Sequence, residues 1–197
     1  MKTLSMAFLG AVAFSTALAA QAQQSVNIRG TVTAFDGKLI SVNSRDGGPV
    51  QVELPENVNV SATVRFTLAD IKPGMTLGVT TVKRADGQLI AIDVRPIPPT
   101  APLGLSPFDL QPGSTMTNAL MEGAAVSVGG NELTLNYKTG SVKVLVPDGT
   151  PMSRAVPGDR ADIKPGETIF VFARVAEGNK LVAARVQVSK NGLKPTQ

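Results

Sequence analysis

The hexapeptide ADIKPG stands at Ala69–Gly74 and again, letter for letter, at Ala161–Gly166, 92 positions further on. A repeat of this kind constrains a fold more than any local signal. At the same offset Val50, Val52 and Leu54 fall on Val142, Val144 and Val146, and Leu77 and Val79 fall on Ile169 and Val171. Leu89-Ile90-Ala91 falls on Leu181-Val182-Ala183, and Val94 on Val186. Nearly all matches sit at alternate positions, the period of a strand with one buried face. The chain writes one β module twice.

Each module reads as a three-strand meander, a connector and a final hairpin. The first has Val26–Phe35 (Val26, Ile28, Val32 and Ala34 facing in), Lys38–Asn43, Val50–Leu54, a short extended piece at Thr63–Thr67, then Met75–Lys83 and Leu89–Arg95. The second has Gly123–Val128, Glu132–Tyr137, Val142–Val146, Glu167–Val175 and Leu181–Val188. Gly-containing turns separate the strands. The order predicts an all-β protein of two tandem five-stranded OB-like barrels. The expected domains are module 1 at 23–97, a linker at 98–117, module 2 at 118–190 and a flexible tail at 191–197. Six of the 14 prolines lie in Pro96–Gly113, a stretch too stiff for a sheet interior. Leu103, Leu105, Phe108 and Leu110 make it too apolar for a free tether, so part of it is expected against a domain.

Turn chemistry explains the repeated word. Pro73 and Pro165 fix φ, and Gly74 and Gly166 accept a positive φ, ahead of the fourth strand. Asp70 and Asp162 accept otherwise orphaned backbone N–H groups, and Ile71 and Ile163 plug the barrel end. These are structural turn residues.

The first 22 residues have the layout of a cleavable export signal: Lys2, an apolar run over Leu4–Leu18, then Ala20-Gln21-Ala22. That implies a periplasmic protein starting near Gln23, with no membrane span in the mature chain. Lys and Arg number 19 against 15 Asp and Glu, interspersed along both halves, which argues against a nucleic-acid partner. Cysteine is absent, so no disulfide can staple the fold.

Three stretches extend the pattern: G-T-V-T-A-F-D-G-K-L-I-S-V at Gly30–Val42, D-G-Q-L-I-A at Asp86–Ala91, and S-T-M-T-N-A at Ser114–Ala119. With D-I-K-P-G, they resemble a family of bacterial exported tandem OB-like β-barrels, a domain of unknown function marked by D-[IL]-K-P-G. The resemblance covers nearly all of the mature chain and implies a fold, not an activity. Gly129-Gly130-Asn131-Glu132 departs from the family's D-G turn in the second module. Similar proteins have been called permease components of metal transporters, a role that needs spanning helices.

Several chemistries are excluded by composition. Without His or Cys there is no Ser-His-Asp or Cys-His catalysis, and soft-metal and haem sites lose their usual ligands. No phosphate-cradling glycine loop occurs. The scattered methionines read as core filling, and Asp36, Asp46, Asp86 and Glu177 as turn residues. No catalytic residue, metal ligand or cofactor is expected, and the protein reads as a non-enzyme. The function expected is a periplasmic binding or scaffold protein, with a protein or small-ligand partner in the cell envelope. The alternative is a soluble accessory component of a metal-linked transport system. Phe170 and Phe172 form the candidate interaction surface, since Ile169 and Val171 take the core phase and send both rings outward. They are expected to be covered by the linker, the other barrel or a partner. The alternative is that the phase shifts locally and the two rings are themselves the core pair.

Overall fold

A computed structural model describes residues 24–127 and 130–195. The export signal expected over 1–22 lies outside the described residues, as do Val128 and Gly129 of the expected second-module hairpin. The strands are β1 (Ser25–Phe35), β2 (Leu39–Ser44), β3 (Gly48–Glu53), β4 (Val60–Arg65), β5 (Thr76–Lys83), β6 (Leu89–Pro96) and β7 (Gly104–Pro107). They continue as β8 (Thr115–Ser127), β9 (Gly130–Tyr137), β10 (Gly140–Val146), β11 (Ser153–Pro157), β12 (Thr168–Val175) and β13 (Leu181–Val188). No helix among the described residues is long and apolar enough to cross a membrane.

Alternation along the strands fills two cores. One gathers Ile28, Val32, Ile40, Val42, Val52 and Leu54 with Ile169, Val171 and Val186. The other gathers Leu77, Val79 and Val94 with Leu133, Leu135, Val144 and Val146. The expected phase fails at the end of β1. A bulge between Val32 and Ala34 leaves Ala34 exposed and turns Phe35 onto the core instead. Gly30 is required where β1 meets β2, because a Cβ there would lie 2.2 Å from the Asn43 carbonyl oxygen.

Both sheets close into five-stranded barrels of OB-like order, but each barrel draws on both repeats. In barrel A, β1, β2 and β3 close through β13 and β12. In barrel B, β8, β9 and β10 close through β6 and β5. The closing seam is a short parallel pairing in each: Leu181 with Val52 and Val182 with Glu53 in A, Val144 with Leu89 and Leu145 with Ile90 in B. The boundaries 23–97 and 118–190 therefore delimit the repeats and not the barrels. Barrel B runs from β5 to β10, inserted between the two parts of barrel A. Alternation fixes which face of a hairpin is apolar, but it does not say which meander that face covers.

The connector strands carry the exchange. β4 lies parallel to β13 and antiparallel to β11, and their ladder pairs Thr63 with Ala155, the same position of the two repeats. A pseudo-twofold axis thus passes between β4 and β11. Just beyond β4, Phe66 enters the core of barrel B. The expected linker 98–117 joins β6 to β8 within barrel B rather than joining two barrels. It contains β7, an edge strand on β8, and the first residues of β8 itself. Of the expected tail, Asn191 and Gly192 make a tight turn closed by paired hydrogen bonds between Lys190 and Leu193.

Each ADIKPG corner is built as its chemistry requires. Asp70 accepts from the Thr67 amide at 2.9 Å, and Asp162 from the Asp159 amide at 3.0 Å. Gly74 and Gly166 have φ of +82° and +92°. The corner also docks on the other repeat: Gly166 donates to the Val32 carbonyl at 2.8 Å, and Gly74 to the Met121 carbonyl at 2.9 Å.

This topology predicts the result of cutting the chain. With a protease site inserted between Pro99 and Thr100, an exposed turn, the two fragments should still elute as one particle and separate only in denaturant. Fragments that separate under native conditions would require each repeat to close its own barrel.

Candidate functional site

The sequence-predicted residues divide into two groups. Asp70, Pro73, Gly74, Asp162, Pro165 and Gly166 sit at the two barrel corners, where the aspartates and glycines have hydrogen bonds already committed to the backbone. Phe170 and Phe172 lie on the outer face of barrel A, opposite Arg29 and Asn27 across the β1–β12 ladder. Phe170 is 2 % exposed although it lies outside the barrel core, while Phe172 is half-buried.

What covers Phe170 is a row of alternating cations and rings. The Arg185 guanidinium lies 5.7 Å from the Phe170 centroid and that of Arg29 5.3 Å from the same ring. Arg29 also lies 5.7 Å from the Phe108 centroid, and Arg95 of barrel B lies 5.8 Å from that ring. Such contacts strengthen as water is removed, to about 2 kcal/mol each. The row runs from barrel A through the Pro-rich segment to barrel B. Phe108, one of the residues too apolar for a free tether, is the ring between Arg29 and Arg95.

Charge is balanced around this row. Asp109 takes both terminal nitrogens of Arg29 at 2.7 and 3.1 Å, a fork that lowers its carboxyl below the ordinary carboxylate range. Arg95 is paired to Asp93, and burial pulls its guanidinium below the usual arginine value against the pull of that carboxylate. Burial lowers Arg185 likewise. Ser114 clasps the loop that presents Phe108 and Asp109, its single hydroxyl proton shared between the Phe108 and Gln111 carbonyls, which lie 2.9 and 2.8 Å away.

Beside Arg29 the two barrels leave an open cleft of about 560 Å³, within the range of small-molecule sites. Barrel A contributes Arg29, Gly30 and Thr31, with Arg45 from the turn after β2. Barrel B contributes Ile92 and, from the Pro-rich segment, Leu110 and Gln111, while the C-terminal stretch beyond β13 adds Lys194. Its described lining includes three cationic side chains and no carboxylate.

The sequence reading missed Arg29, Arg45, Asp93, Arg95, Asp109, Arg185 and Lys194. No usable signal marked them: Asp93 and Arg95, for example, occupy the outward phase of β6, where charge reads as solvent-facing until a second barrel covers it. No family model, curated protein or solved structure matches this chain.

Two predictions follow from this geometry. Replacing Phe170 and Phe172 together by Ser should cost about 3 kcal/mol or more. Far-UV circular dichroism should keep its β signature, while amide exchange rises on the facing strands β1, β5 and β6. Loss of the whole of barrel A would instead make the rings part of its core. The second concerns acid. The folded Asp109 carboxyl lies below its unfolded value near 3.9, so its contribution is complete above about pH 4 and disappears as pH falls through the folded value. Cleavage in the Pro-rich segment by an acid-active protease should accelerate over that interval, and Asp109→Asn should remove most of the pH dependence.

Proposed function

We propose that this protein is a non-catalytic binding or scaffold protein of the bacterial cell envelope, a member of the exported tandem OB-like family its motifs resemble. The observation that carries this reading is the cleft between the barrels. Its walls come from β1, the turn after β2, β6, the Pro-rich segment and the C-terminal stretch. Such a cleft exists only in the assembled molecule. The residues around it are cationic, neutral polar and apolar side chains with no carboxylate among the described lining, which suit holding a ligand; the buried carboxylate nearby, Asp93, is committed to Arg95.

The test is native isolation. Purified from the periplasmic fraction, the protein should begin near Gln23 by mass spectrometry. On denaturation it should release a bound molecule or partner in stoichiometric amount, unchanged after prolonged incubation with the protein. Chemical turnover of that molecule would overturn the non-catalytic reading, and co-purification with transporter subunits alone would favour the transport role.

A further inference from the structure

The lining of the cleft mixes two kinds of side chain. Three are cationic: Arg29, Arg45 and Lys194. Others are apolar, among them Ile92, Leu110 and Pro151. Arg45 already holds Asp46 at 2.9 Å and is half exposed, whereas Lys194 is exposed and makes no ion pair among the described residues. Arg29 differs from both. Its side chain is 7 % exposed and its two terminal nitrogens are filled by Asp109, yet its Nε–H is buried with no acceptor among the described residues. A buried donor left without a partner costs roughly 1–3 kcal/mol, and this one belongs to a residue that lines the cleft. The backbone preorganises this donor. Arg29 is fixed between two rings and forked by Asp109, and the Arg45 amide donates to the Arg29 carbonyl at 2.7 Å, holding the two cationic residues side by side.

We propose that the cleft binds a compact organic anion. Its carboxylate or phosphate head lies among Arg29, Arg45 and Lys194, and its apolar body lies on Ile92, Leu110 and Pro151. A purely inorganic anion leaves the apolar side chains wet, and a neutral apolar molecule leaves the cations unused. The proposal rests on the binding-protein reading above and names the ligand class for that cleft.

The experiment is an amide-resolved NMR titration of the full mature chain with benzoate and with phenyl phosphate, using benzyl alcohol as the neutral control. Saturable shifts are expected at Gly30, Thr31, Ile92 and Leu110 with either anion. Tighter binding of one distinguishes a carboxylate from a phosphate ligand. Affinity should fall at least tenfold in the Arg45→Ala/Lys194→Ala double variant, whose changes lie at exposed side chains and whose spectrum should otherwise stay native. Raising salt should weaken both anions. Benzyl alcohol binding as tightly as benzoate, shifts scattered away from the cleft, or unchanged affinity in the double variant would each overturn the proposal. If the anions fail while native isolation still yields an unmodified stoichiometric ligand, the anion inference falls and the binding role stands.

Discussion

Every feature of this molecule depends on one requirement: a three-strand meander from one repeat closes only when the hairpin of the other repeat reaches it. The parallel seams that complete the two barrels are two residue pairs long. Seams that short hold little by themselves. They are secured by the hairpin's antiparallel ladder on the first strand and by the ADIKPG corner, whose glycine amide donates to that same strand. Small barrels bury a modest share of their unfolded surface, and without cysteine no disulfide can compensate. Exchange answers this by making each barrel's closure depend on both repeats.

Exchange also places the outer faces of the two hairpins against one another. There the repeats diverge most: Phe170 and Phe172 on β12 correspond to Gly78 and Thr80 on β5. Barrel A supplies a large ring between cations, whereas a Cβ at Gly78 of barrel B would lie 3.1 Å from Ile97 and 3.5 Å from Met116. Arginine suits such a face because its planar group stacks on rings while its terminal nitrogens meet a carboxylate. Arg29 does both at once, on Phe108 and Phe170 and with Asp109. The Pro-rich segment is therefore part of the interface, held by Ser114 and β7. The cleft is the residue of this packing, open beside Arg29 at the middle of the arginine row.

The sequence alone determined the two closed β-barrels, the inward positions of most strands, and the corner built from Asp, Pro and Gly. These are short-range properties: period two, a positive φ, a side chain capping an amide three residues before it. It also placed Phe170 outside the barrel core, because Ile169 and Val171 already took the inward phase. Tertiary structure alone decided which hairpin closes which meander, since two copies of one pattern present equally suitable apolar faces. It alone brought Arg29, Arg95, Asp109 and Lys194 to one junction from four distant segments. A charge on the outward phase of a strand reads as solvated until a second surface removes the water, and where that surface lies is set by the exchange of strands, which local sequence does not encode.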